Sequence, residues 1–346
     1  MIRCSRCKEK KATGALRLCA HCLRNNEIEY DTVGIHRAIR NVFGLPVEPP
    51  KGSKGINCRL CSNNCHMEPG MAGYCGLRKN ENGVLVNIVP RGSALAKIYI
   101  DPLPTNCCAS WFCPGSKKKG KNMAVFLFGC NFNCLYCQND SHKLINIAPV
   151  VTEEEMIQSA LKPKVKCVCF FGGSPEPQLP FTLRVARRII KESNNHKHIC
   201  WEWNGCGNPS LVKKASELSY ISGGTIKFDL KCFHPNISYA LCGVSNKQAF
   251  DNFRKIAMGS YKQVLHATTL LVPYYVDKEE VGQIARFISK IDPNIPYSLL
   301  IFHPDFYMKD LPITPRSQID ECYEIARSFL KCVNIGNKHL LPLAKN

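Results

Sequence analysis

Residues 123–137 read MAVFLFGCNFNCLYC. The opening run, Met123–Phe128, is apolar and of strand length. It breaks at Gly129 into a short loop that carries Cys130, Cys134 and Cys137 in the spacing CxxxCxxC. Three thiolates on one loop can hold three irons of a cubane cluster and leave the fourth iron without a protein ligand. An open iron can do chemistry, whereas a fully ligated cluster only passes electrons. Three core or zinc-binding cysteines are the plainer reading of the same spacing. Position weighs against it, because the loop follows the first strand of a strand–helix series.

That series runs to the end of the chain. Strands are predicted at Met123–Phe128, Val165–Phe171, His198–Trp203, Thr225–Leu230, Leu265–Val272 and Tyr297–Phe302, with Cys332–Ile335 as a candidate seventh. Helix starts are marked by Thr152 with Glu155, Ser245 with Gln248 and Asp277 with Glu280 as capping boxes. Asn208–Pro209 and Thr314–Pro315 read as N-caps followed by proline. Ile319, Cys322, Tyr323, Ala326 and Leu330 form one helical stripe. Alternating strands and helices imply a parallel sheet with right-handed crossovers. The fold class is therefore α/β, a partial (β/α)6 TIM-like barrel, with chemistry at the C-terminal strand ends.

The 346 residues contain 22 cysteines, many at short spacings. The start, MIRCSRCKEKK, lacks a signal-like apolar stretch, and no run is long enough to cross a bilayer. A cytoplasmic location follows, where clustered thiols read as metal ligands rather than disulfides. Two N-terminal cysteine-rich modules precede the barrel. Residues 1–26 hold Cys4, Cys7, Cys19 and Cys22, two CxxC pairs of the zinc-knuckle pattern. Residues 27–57 form a connector ending in VEPPKGSKG. Residues 58–121 form a cysteine-rich module and lead-in, with Cys58, Cys61, Cys65 and Cys75 able to bind either zinc or a second iron–sulfur cluster. Residues 122–346 are the core barrel. Cys107, Cys108 and Cys113 show no ligand spacing, and Cys200, Cys206, Cys232 and Cys242 read as small core filler. The formal charge of +19 favours a polyanion or acidic partner, although a solvated lysine-rich surface accounts for it equally well.

The CxxxCxxC loop, with Tyr136 before its last cysteine, resembles the radical S-adenosylmethionine (SAM) superfamily. FFGGSPEPQ at Phe170–Gln178 looks like that family's glycine-rich motif, although the usual GGEP is spread out. WNGCG at Trp203–Gly207, KFDLKCF at Lys227–Phe233 and LLIFHPDF at Leu299–Phe306 resemble segments of pyruvate formate-lyase (glycyl-radical enzyme) activating enzymes. The resemblance implies a [4Fe–4S] cluster on Cys130, Cys134 and Cys137. It implies S-adenosylmethionine held by Tyr136, Gly172, Gly173, Glu176, Asp229, Lys231 and His303. For these groups the plainer readings are a tight turn, a rim ion pair and a buried histidine. The resemblance further implies reductive cleavage of S-adenosylmethionine to a 5′-deoxyadenosyl radical, a reducing electron donor and a glycyl-radical partner protein. RNA or another protein as substrate is the alternative, and a non-catalytic iron–sulfur or zinc nucleic-acid-binding protein is the third. No catalytic residue is assigned.

Overall fold

The computed structural model describes residues 1–25, 30–105 and 107–343. Nine strands form one sheet: β1 (Ser93–Pro102), β2 (Lys121–Leu127), β3 (Val150–Thr152), β4 (Val165–Gly172), β5 (His198–Trp203), β6 (Ile226–Asp229), β7 (Leu265–Leu271), β8 (Tyr297–Ile301) and β9 (Val333–Gly336). Their order is β9-β8-β7-β6-β5-β4-β2-β1-β3. All pairs from β2 through β9 along this order are parallel. The candidate strand at Cys332–Ile335 is thus a full member, shifted by one residue. A meander the sequence did not reveal, β1 antiparallel to β2 and β3 antiparallel to β1, closes the other edge. Tyr99 of β1 and Asn334 of β9 line one cavity although they lie near opposite edges, so the sheet curls into an open barrel.

The helices of the connections cover its outer face. They are α3 (Glu153–Leu161), α4 (Leu179–Glu192), α5 (Pro209–Ser222), α6 (Pro235–Cys242), α7 (Lys247–Ala257), α8 (Lys278–Ser289) and α9 (Arg316–Phe329). Alternate strand residues, such as Val168 and Phe170 of β4 and Ile226 and Phe228 of β6, are fully buried. A residue of this size buried from water contributes about 1.5–3 kcal/mol, which makes this outer layer the main source of cohesion. Two further helices, α1 (Ala20–Asn25) and α2 (Tyr30–Val42), belong to the N-terminal part. Among the described residues no helix is long and apolar enough to cross a membrane.

The helix starts divide. Thr152 and Glu155 make the complete capping box of α3, and Asn208 caps α5 by accepting from Ser210 N. Asp277 caps α8, but Glu280 turns away to accept from Phe233 N, His234 N and Arg24. Ser245 lies one residue before the N-cap of α7 and accepts from Lys247 N at 3.2 Å. Asn246 occupies that place without a side-chain cap, and Gln248 donates forward to Asn252. Thr314 is drawn into the core instead, accepting from Phe302 N and donating to Leu271 O.

Candidate functional site

The loop after β2 is fixed from several sides. Gly129 lies at φ 79°, and a Cβ there would come within 2.7 Å of the Leu77 side chain. Its N–H donates to His142 O, while Asn133 N and Leu135 N donate to Cys242 O and Leu241 O at the end of α6. Cys130 and Cys134 are buried and Cys137 is partly exposed. Phe132 N donates to Cys130 Sγ at 3.3 Å.

Several groups around this loop carried no sequence signal of their own. Lys143 is 1% exposed and donates to Asn133 Oδ1 at 2.9 Å. Burial pulls its ammonium down, and the charges of Cys137 and Cys130 oppose that pull. Asn204, just after β5, donates to Asn131 Oδ1 at 2.7 Å and to Ser174 Oγ at 3.0 Å. The CNFNC pattern points to the two asparagines between the cysteines, but nothing in it reveals Lys143.

The predicted S-adenosylmethionine residues fall into three groups. Gly172 and Gly173 allow close approach: a Cβ on Gly173 would lie 2.4 Å from Gly129 O, and one on Gly172 2.5 Å from Leu127 N. Gly173 N donates to Leu127 O at 2.9 Å, tying the end of β4 to the end of β2. Asp229 and Lys231 form an ion pair at the end of β6. Lys231 Nζ lies 5.7 Å from the centre of the buried Tyr136 ring, whose hydroxyl is 3.6 Å from Cys242 Sγ. Asp229 Oδ1 is buried and has no hydrogen-bond partner in the chain. Glu176 is fully buried with both oxygens engaged inside the protein, accepting from Gly205 N at 2.7 Å and from the Ser174 hydroxyl. Burial lifts its carboxyl to about 7 against those donors. His303 sits exposed just beyond β8.

Three thiols on one loop, the buried Lys143 amine and the partly buried Lys231 amine near them, and an unpartnered carboxylate oxygen form a donor set that fits an iron–sulfur cluster with a polar ligand beside it. One zinc ion requires Sγ atoms about 3.8 Å apart, from metal–sulfur bonds of about 2.3 Å. Among the described residues only Cys4, Cys7, Cys19 and Cys22 place three or more ligand atoms within 4.8 Å of one another. There Cys7 Sγ and Cys19 Sγ lie 3.8 Å apart. Burial pushes the Cys4 thiol up, but the N–H groups of Cys19, Cys7 and Arg6 outweigh it and bring it down to about 6.

The Cys58–Cys75 segment packs directly on the loop. Asn63 donates to Asn131 O at 2.8 Å, and Ser62 N donates to Cys206 O at 2.9 Å. Arg40, 1% exposed and stacked 3.5 Å from the Tyr74 ring centre, feels the charge of both Cys75 and Cys130. Both ring nitrogens of His66 face carbonyl oxygens, those of Gly52 and Gly55.

Residues 125–288 match the family model of the Radical SAM superfamily. An uncharacterised protein of Methanocaldococcus jannaschii is 24% identical over 293 residues, covering 82% of this chain and 81% of its own length. A second protein of that organism, whose name assigns it provisionally to the glycyl-radical enzyme activating enzymes, is 25% identical over 224 residues, covering 63% and 89%. Among solved structures, a domain of pyruvate-formate lyase-activating enzyme from Bacteroides vulgatus aligns with a TM-score of 0.41 at 17% identity, covering 50% of this chain and 99% of that one.

Proposed function

Residues 125–288 form a radical SAM superfamily domain, and from that premise we propose that this enzyme is of the glycyl-radical-activating type, abstracting hydrogen from a backbone glycine of a partner protein. The carrying observation is the loop of Cys130, Cys134 and Cys137 at the end of β2, with the Lys143 amine buried beside it. Cys130, Cys134 and Cys137 would hold a [4Fe–4S] cluster, which would supply reductive cleavage of bound S-adenosylmethionine to a 5′-deoxyadenosyl radical.

The chain's own groups do the holding. Gly172 and Gly173 bring the end of β4 against the cysteine loop, where only a residue without a side chain fits. Lys143 and Lys231 place positive charge beside the thiolates, and Asp229 Oδ1 offers a free acceptor for the amine of S-adenosylmethionine. Glu176 acts as a positioning residue, joining the turn after β4 to the end of β5. Tyr136 closes the floor of the site and keeps water out. Zinc in the Cys4–Cys22 knuckle folds the N-terminal module. The Cys58–Cys75 thiols, held against the loop by Asn63 and Arg40, suit a second cluster that passes electrons. So many thiols, with no disulfide among the described residues, suit the cytosol and a reducing donor.

The test is anaerobic. After reconstitution with iron and sulfide, dithionite and S-adenosylmethionine should yield 5′-deoxyadenosine from the wild type and none from Cys134→Ala. Absence of product from iron-loaded wild type sinks the radical reading. Modification of RNA is the second reading, favoured by the +19 charge and the exposed Lys117–Lys119 run. RNA that copurifies and is released by salt would replace the glycyl-radical reading with it.

A further inference from the structure

A closed barrel of this type normally fills its interior with layers of branched aliphatic side chains. This interior is lined with thiols. Cys167 and Cys169 of β4 and Cys200 of β5 face inward, and Cys107, Cys108 and Cys113 meet them from the loop between β1 and β2. All six line one cavity of about 550 Å³. Cys169 and Cys200 are register partners on neighbouring parallel strands, so their side chains leave the sheet on the same side. Cys167 Sγ lies 3.7 Å from Cys200 Sγ.

An ammonium stands among them. Lys227 of β6 is 1% exposed. Its Nζ is 3.2 Å from Cys169 Sγ, 3.5 Å from Cys107 Sγ and 3.2 Å from Glu202 Oε2. A buried ammonium needs compensating negative charge. Its carboxylate partner Glu202 is 37% exposed, which leaves the neighbouring sulfurs to supply the rest.

Core packing, a disulfide and a single bound ion each fit these six thiols less well. Filler cysteines are closed off as small hydrophobes, and Cys206, Cys232 and Cys242 are 0% exposed. Five of these six are partly exposed and face open space. A Cys167–Cys200 disulfide is offset along the strands, since Cys167 registers with His198. A single ion requires thiolates at about 3.8 Å, and no three of these sulfurs come within 4.8 Å of one another among the described residues. In a polynuclear cluster each thiolate binds a different iron, so the ligands stand wider apart.

We propose that the barrel interior holds a further iron–sulfur cluster, ligated by Cys107, Cys113, Cys169 and Cys200 with Lys227 as its counter-charge. Cys108 stands aside from this set, its Sγ 3.8 Å from His266 Nδ1. Two ligands come from rigid strands and two from one loop, which joins the cluster to both parts of the wall. Lys227 would donate N–H···S bonds to the cluster thiolates, the kind of contact that sets a cluster's potential.

The test uses the full chain, reconstituted anaerobically with iron and sulfide, with iron, zinc and sulfide counted per chain. Cys169→Ser/Cys200→Ser should lose about four irons and about four sulfides relative to wild type. It should also lose one component of the dithionite-reduced electron paramagnetic resonance spectrum. Cys107→Ser/Cys113→Ser alters only the loop and should show the same loss, so a strand variant that fails to fold does not end the test. Unchanged iron in a folded variant of either pair overturns the proposal. Zinc in place of iron at these thiols overturns it equally.

Discussion

The knuckle at Cys4–Cys22 and the loop at Cys130–Cys137 both gather cysteines, yet they are built in opposite ways. The knuckle closes on itself. A short hairpin (Ile2–Arg3 with Lys11–Ala12) and the start of α1 bring four sulfurs to one-ion spacing. Leu16, Leu18 and Leu23 are buried around them, and an ion bound by the four thiolates would add to that cohesion. The loop is held by its surroundings. Its backbone bonds to α6, its asparagines meet Asn204 and Lys143, and its sulfurs remain too far apart for one ion. Thiol geometry therefore reports what does the folding. Crowded sulfurs are spaced for one ion, whereas spaced sulfurs are positioned by the core around them.

The largest effect that could break this contrast is metal removal. A zinc chelator should unfold residues 1–25, because a structural zinc supplies about 10–16 kcal/mol in such modules. Amide hydrogen exchange should show protection lost there and kept in β4–β8. Equal loss in both regions would make the knuckle part of the barrel's own cohesion. A smaller effect tests the joint between them. Arg24 binds Asp277, Glu279 and the buried Glu280 at the start of α8. Arg24→Ala should cost about 3 kcal/mol, since Glu280 loses its charge partner. Urea unfolding measures the cost, and 5′-deoxyadenosine yield should stay unchanged if the two regions work separately.

An effect of similar size lies on the barrel side. The Glu176 carboxyl is raised from 4.5 to about 7, chiefly by burial. The folded state thus holds this proton more tightly than the unfolded chain. The resulting stability is full below about pH 4.5 and is lost as pH rises through about 7. The integrated change is about 3 kcal/mol at 1.36 kcal/mol per pH unit. Glu176→Gln should flatten the melting-temperature profile between pH 5 and 8. A profile that keeps its slope would assign the slope to other groups.

The strands were legible because period and composition survive in short apolar runs. His198–Trp203 matches the sequence reading residue for residue, and the others differ at their ends. The β1–β3 meander was hidden because β1 packs near an edge, where half its side chains meet water. Ser245 and Thr314 look like caps locally, but tertiary bonds claim Thr314 and Asn246 takes the place of Ser245. The loop cysteines stood out by their spacing together with their position after a strand. Cys107, Cys113, Cys169 and Cys200 did not, because two strands and a distant loop contribute them and no spacing links the three. Reading Cys200 as filler was therefore a local judgement about a residue whose surroundings depend on β4. Glu176 shows the same limit, since its motif marks a turn after β4 but not the direction in which the carboxylate points.

The first residues of the chain rest on some of its last. Thr13 N donates to the Tyr275 hydroxyl across a separation of 262 residues, and Asp310 accepts from the Thr13 hydroxyl and Gly14 N. At about 5–20 residues per second of synthesis, that separation lasts roughly 15–50 s. The knuckle thiols thus leave the ribosome long before their docking surface has been made. During that interval an ion captured by the four thiols would keep them apart from stray oxidants and from the many other cysteines still to emerge.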